Sequence, residues 1–187
     1  MEIFGFAGWS GSGKTTLIEK LIPRFVGMGL RVSLIKHAHH AFDVDQPGKD
    51  SYRHRAAGAQ EVLVTSSRRW VLMHELRGAA EPEFEAQVRQ MSPCDLLLVE
   101  GFKFAPIPKL EVWRAQNAQP PLHPNDANIV AVAADASLAT RLPVLDLDDD
   151  AGIARFILAH LKLACRALPV THQPISGEDA RWPSTYS

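Results

Sequence analysis

The stretch "GFAGWSGSGKTTLIEKLI", residues 5–22, decides the fold. It leaves an apolar run and turns through Gly8, Gly11 and Gly13. It then enters a segment in which Leu17, Ile18, Leu21, Ile22 and Phe25 recur at helical spacing. Within it, Gly8-x-x-x-x-Gly13-Lys14-Thr15 is a complete phosphate-loop motif, with a strand pattern before it and a helix pattern after it. The glycines free the backbone for conformations that a Cβ resists. Successive N–H groups can then converge as an anion nest. The helix that follows offers its own unpaired N–H groups and the positive end of its dipole. Lys14 is expected on the β- and γ-phosphates of a nucleotide and the Thr15 hydroxyl on Mg²⁺. Gly8, Ser10, Gly11, Ser12, Gly13 and Thr16 complete the expected cradle.

Outward from this stretch, strand and helix patterns alternate. "EIFGFA" (Glu2–Ala7) reads as a buried strand, and the helix should end near Gly27 and Gly29, with Pro23 either kinking it or leaving a last irregular turn. "RVSLIK" (31–36) is the second strand, which makes a βαβ unit with parallel strands. Residues 37–59 begin as a polar loop turning at Pro47-Gly48 and continue as a short helix from about Asp50, stopped by Gly58. "EVLVT" and "WVLMHE" flank "SSRR" and predict a hairpin. Residues 81–91 read as a helix with Pro82 in its first turn. "CDLLLVEGF" (94–102) holds the most apolar strand, suited to a sheet covered on both faces.

"PKLEVWRA" (108–115) alternates and predicts a strand with an exposed edge. A loop over 116–128 leads to strands in "IVAVAAD" (129–135) and "LPVLDLDD" (142–149), then to an amphipathic helix over 151–167. The expected architecture is one α/β domain over residues 1–167 of P-loop NTPase type. Its sheet is doubly wound, mostly parallel and flanked by helices, with an added antiparallel hairpin. Residues 168–187 carry Pro, Ser, Thr and Gly without an apolar period and predict a poorly ordered tail.

Composition agrees with one ordinary globular domain: 187 residues, 46% hydrophobic and 22% charged. A net charge of -1 provides no global field to recruit nucleic acid or an anionic membrane, so neither is expected as a partner. No apolar run reaches the roughly 18 residues of a membrane span. The phosphate loop begins at Gly8 with no basic segment before it, which argues against a signal peptide. Cys94 and Cys165 form no metal-ligand spacing or disulfide framework, so a reducing cytoplasm is the expected location.

A phosphate loop usually works with an acidic residue at the end of a neighbouring strand. "LLLVEG" supplies Glu100, a candidate Mg²⁺ ligand, direct or through water, or a carboxylate merely exposed at a strand end. Asp43 and Asp45 follow the second strand, on the same edge of a parallel sheet, and are further candidates for the Mg²⁺ shell or for positioning water, or simply a solvated acidic loop. Of His37, His39, His40 and His54, the first three are too crowded to act together easily as zinc ligands, and no cysteine is nearby. With Lys36, Lys49, Arg53 and Arg55 the four histidines could form a polar or anionic ligand site, or simply a surface.

Three quoted stretches, "GWSGSGKTTL", "KHAHHAFDVDQPGKDSYRHRAAGA" and "LLVEGFK", together resemble the MobB family of molybdopterin-guanine dinucleotide biosynthesis adapters. The resemblance is strong over about residues 3–109 and rests on element pattern beyond. It implies a GTP-binding protein that hydrolyses GTP weakly, is typically a homodimer, and works with the guanylyltransferase that joins GMP to molybdopterin. Molybdopterin itself and molybdoenzymes are further candidate partners. GTP and Mg²⁺ are the implied ligands, with Lys14 and Glu100 as the catalytic residues.

The usual Asn-Lys-x-Asp guanine-reading motif is absent. "VAAD" ends a late strand where that motif would lie, so Asp135 is the candidate guanine reader, with a helix cap as its structural alternative. No residue stands out to orient the attacking water, so turnover below roughly 1 s⁻¹ is expected. The rival reading is a P-loop small-molecule kinase, since an apolar strand ending in Glu-Gly suits that class too; no Arg-rich lid helix supports it. A binding module with a structural nucleotide is the third.

Overall fold

A computed structural model of the chain describes residues 1–38 and 42–164. His39, His40, Cys165, the end expected for the last helix and the tail at 168–187 lie outside the described residues.

Six parallel strands form the main sheet. In chain order they are β1 (Glu2–Ala7), β2 (Val32–Lys36), β5 (Leu96–Glu100), β6 (Lys109–Trp113), β7 (Ile129–Ala134) and β8 (Val144–Asp146). Their spatial order is β2-β5-β1-β6-β7-β8. β5 and β6, consecutive in the chain, flank β1 on opposite sides. The carboxyl end of β1 is therefore a topological switch point, where an open α/β sheet leaves a crevice for ligands. The phosphate loop lies there. A separate antiparallel sheet pairs β3 (Glu61–Thr65) with β4 (Trp70–His74), as the turn chemistry predicts.

Strand parity sorts the core. Phe4, Phe6, Leu96, Leu98, Leu110, Val112, Ala131 and Ala133 face α1 (Lys14–Gly27) and α4 (Asp150–Leu161) in one buried cluster. Leu97, Val99 and Ile35 face the other side, where α3 (Phe84–Arg89) packs Phe84 and Val88. The short α2 (Asp50–Ala56) contributes no buried residue and precedes β3. β5 is buried at all five positions, as its apolar run requires.

Several expectations are corrected. α1 ends at Gly27, as the glycines predict, and is regular helix from Pro23 onward instead of an irregular last turn. α3 is shorter than 81–91: Glu83 is extended, and Pro82 biases its predecessor Glu81 toward extended backbone. Glu81 then reaches His37 at 3.0 Å instead of joining the helix. α4 stops at Leu161 because Lys162 takes a left-handed conformation (φ 55°) and the Leu163 N–H donates back to the Leu158 carbonyl. No helix follows Asp135; residues 136–142 are irregular.

The largest correction concerns β6. It is an interior strand between β1 and β7, with Lys109 and Glu111 buried. The charges survive burial because each is paired. Lys109 Nζ donates to the carbonyls of Lys103 (2.8 Å) and Ala105 (2.9 Å) and lies 2.6 Å from Asp126. Glu111 accepts from the backbone N–H groups of Leu122 and His123 and contacts the His123 ring at 3.0 Å. The alternation in "KLEVW" is therefore core facing two different environments.

Candidate nucleotide site

The phosphate loop closes between β1 and α1 through three left-handed or otherwise glycine-favouring turns: Gly8 (φ 147°), Gly11 (φ 76°) and Gly13 (φ 93°). Gly8 also needs its missing side chain for space. A Cβ there would stand 2.5 Å from the Val112 carbonyl oxygen and 2.7 Å from Ser12 Oγ. Gly13 occupies the N-cap of α1 without a side-chain cap, so the first N–H groups of the helix stay available to an anion.

Around this loop lies a cavity of about 800 Å³. Gly8, Ser10, Gly11, Gly13, Lys14, Thr15, Thr16 and Glu100 all line it, together with Lys36 and His37 from the end of β2. Its size is within the range of small-ligand sites. Lys14 Nζ donates to the carbonyls of Gly8 and Trp9, each at 2.9 Å. Burial, the largest influence, lowers the Lys14 pKa; Glu100 opposes that shift, while Lys103 and Lys36 add to it.

Parity on β5 explains Glu100. Leu96, Leu98 and Glu100 point to the α1 face, so the last of them meets the first turn of α1. Thr15 Oγ1 donates to Glu100 Oε1 at 2.7 Å. A hydroxyl and a carboxylate held this way are hard oxygen donors, the chemistry that Mg²⁺ takes alongside nucleotide phosphates. Thr15 and Glu100 therefore fit the cation that a phosphate loop implies. Among the described residues, no three His, Cys, Asp or Glu side chains gather as a metal cluster.

Other sequence candidates fall elsewhere. Ser12 turns beneath the loop, where its hydroxyl is buried without a hydrogen-bond partner among the described residues, and it does not line the cavity. Asp43 and Asp45 are not brought to the phosphate loop; Arg55 takes both. Its Nη2 donates to Asp43 at 2.8 Å and its Nε to Asp45 at 3.3 Å, while Nη1 reaches Glu75 at 2.7 Å. The Arg55 bond is the largest cause of the lowered Asp43 pKa.

Asp135 sits at the carboxyl end of β7, on the same sheet edge but outside the cavity lining. Its Oδ1 accepts from the Ala115 N–H at 3.0 Å, and its Oδ2 lies 3.4 Å from Arg114. Sequence reading missed Arg114, which donates from Nε to the Ser12 carbonyl at 3.1 Å and covers Gly13. Trp9 was missed too. Its indole N–H donates to the Pro120 carbonyl at 2.8 Å, and Lys103 lies over its ring at 4.5 Å. No local signal marks either residue, because both act through chain segments distant in sequence.

Residues 3–135 match the family described as molybdopterin guanine dinucleotide synthesis protein B, MobB. The chain belongs to the MobB family. It is 43% identical over 161 residues to the molybdopterin-guanine dinucleotide biosynthesis adapter protein of Escherichia coli (strain K12), covering 84% of this chain and 92% of that one. The counterpart from Haemophilus influenzae is also 43% identical, over 157 residues, covering 84% and 88%. Among solved structures, Bacillus subtilis MobB aligns with a TM-score of 0.68 at 26% identity, covering 86% of this chain and 98% of that one. The MobB homolog from Bacillus stearothermophilus aligns at 0.66 with 25% identity, covering 87% and 99%. The MobB fold and the family's biosynthetic setting thus extend across most of the described chain.

Proposed function

We propose that this chain is a Mg²⁺-dependent GTP-binding adapter of molybdopterin guanine dinucleotide biosynthesis, which hydrolyses GTP slowly and assists the guanylyltransferase that joins GMP to molybdopterin. The observation that carries the nucleotide part is the Thr15–Glu100 pair at 2.7 Å, at the mouth of a glycine nest heading α1. Family membership supports the adapter part.

In this reading Lys14 would leave the Gly8 and Trp9 carbonyls for the β- and γ-phosphates, and Thr15 and Glu100 would hold Mg²⁺. The cation would supply charge stabilisation at the γ-phosphate. Asp135, oriented by the Ala115 N–H, accepts the guanine N1 and N2 hydrogens. His37 lines the cavity but gives its Nε2 to Glu81, which agrees with slow turnover. The protein works in the cytoplasm as a homodimer. Among the described residues no helix is long and apolar enough to cross a membrane.

The test is calorimetric titration with Mg-GTP and Mg-ATP. GTP should bind more tightly, Lys14→Ala should abolish binding, and Asp135→Asn should weaken GTP relative to ITP. Multiple-turnover hydrolysis should stay below roughly 1 s⁻¹. A purified guanylyltransferase should be retained by the immobilised chain more strongly with GTP than without. Absence of GTP binding, or an equal Asp135→Asn effect on ATP and GTP, would reject the corresponding part.

A further inference from the structure

Lys36 closes β2 opposite Glu100, its register partner on β5. In a parallel pair such partners project to the same face, here the face of α1. The Lys36 ammonium accordingly lies 3.4 Å from Thr15 Oγ1 and 3.4 Å from Glu100 Oε2. These are the two side chains that fit Mg²⁺. Lys14 also feels the Glu100 charge but gives its hydrogen bonds to the Gly8 and Trp9 carbonyls, and Lys103 lies over the Trp9 ring. Glu100 is buried, with its side chain 8% exposed, whereas the Lys36 side chain is 54% exposed.

We propose that Lys36 is a tethered stand-in for the divalent cation, occupying its position between Thr15 and Glu100 until a metal-bound nucleotide displaces it. The inference rests on the reading of this loop as a triphosphate site. A buried carboxylate is costly without a counter-charge, and the Lys36 ammonium supplies one. It also keeps the hydroxyl and the carboxylate in place. At 3.4 Å its grip is looser than the roughly 2.0–2.1 Å of a Mg²⁺–oxygen bond. A divalent ion that brings two phosphates with it can therefore outcompete it. The freed ammonium, on a flexible four-carbon stem open to solvent, swings to the outer phosphate oxygens. Lys36 is thus a positioning residue with two consequences. A divalent ion alone competes poorly for the site, and nucleotide binding tolerates loss of the metal because Lys36 stays as its substitute.

The test compares the full chain with Lys36→Met, which keeps the stem and removes the charge at an exposed position; circular dichroism verifies folding. The first readout is Mn²⁺ binding without nucleotide, followed by electron paramagnetic resonance. Lys36→Met should bind Mn²⁺ at least about tenfold more tightly than wild type, the scale of one charge-assisted contact. Adding Glu100→Gln to that variant should remove the gain. The second is the ratio of GTP dissociation constants in EDTA and in excess Mg²⁺, which should rise at least about tenfold in Lys36→Met. Unchanged Mn²⁺ affinity, or a gain that persists with Glu100→Gln, overturns the proposal. So does an unchanged EDTA-to-Mg²⁺ ratio in a protein that binds GTP, and that result leaves the nucleotide reading intact. If wild type binds no GTP yet the Glu100-dependent Mn²⁺ gain appears, the nucleotide reading fails and the stand-in role of Lys36 holds.

Discussion

At the residue scale, two lysines show how burial sets behaviour. Lys14 is half withdrawn from water, and that withdrawal is the main reason its pKa is lowered. A bound triphosphate would raise it again, since an adjacent anion favours the charged form. The complex then holds more protons than the free protein at alkaline pH. Affinity for GTP should be full below the lowered free-protein pKa and fall as pH rises through it, before the ordinary lysine range is reached. Calorimetry in buffers of different ionisation enthalpy should detect proton uptake on binding there. Affinity that stays flat up to that range would contradict this assignment. Lys109 presents the opposite case. It is fully buried, its stem fills the space left by Gly5, and it satisfies two carbonyls and Asp126. At Asp126 burial is the largest influence and pushes the pKa up, but the hydrogen bonds from Lys109 and Asn128 outweigh it and the net shift is downward. Lys109→Met should cost about 3 kcal/mol, the scale of breaking a buried ion pair by removing one partner. Urea unfolding would measure it, and a loss below about 1 kcal/mol would show that water replaces the ammonium.

At the element scale, Arg55 joins three segments. From α2 it holds Asp43 and Asp45 in the preceding loop and Glu75 just beyond β4. Arg55→Ala should therefore raise backbone hydrogen exchange in residues 42–49 and at the base of the hairpin, while the phosphate loop keeps its protection. Uniform protection in all three segments would show that the arginine is dispensable. The same contacts explain where sequence reading succeeded and failed. The β1–loop–α1 unit is legible because its signal is local: glycines, lysine and helix period lie within about twenty residues. β5 is legible for the same reason, as is the hairpin around "SSRR". The order of the strands is not local, and so β6 reads as an edge although its charges are paired with the 103–105 and 122–126 segments. Asp43 and Asp45 read as cation ligands because they follow β2 on the correct sheet edge. A side chain ten residues on from Asp45 claims them instead, and only the fold brings it there. Glu100 needs no more than strand parity, which the apolar run already displays.

At the scale of the whole molecule, the hairpin is the part that the single chain leaves incomplete. Leu63, Trp70 and Leu72 are 60%, 67% and 47% exposed, and Val64 and Val71 are exposed beside them. Register pairs Leu63 with Leu72 and Val64 with Val71, so apolar side chains stand on both faces of a two-stranded ribbon. Such a ribbon is marginal by itself and presents open edges. A second copy of the chain can cover both, through a self-complementary contact in which the same residues serve each partner. Full burial of a large apolar side chain contributes roughly 1.5–3 kcal/mol, and each such residue counts twice in a symmetric pair. Leu72→Glu should therefore weaken the homodimer by more than about a hundredfold. Sedimentation at micromolar concentration should show wild type as a dimer and the variant as a monomer. GTP affinity should be unchanged in that monomer, because no hairpin residue lines the nucleotide cavity. A monomeric wild type would remove the hairpin from the dimer, and a monomeric variant with impaired GTP binding would mean that the second copy helps to build the site.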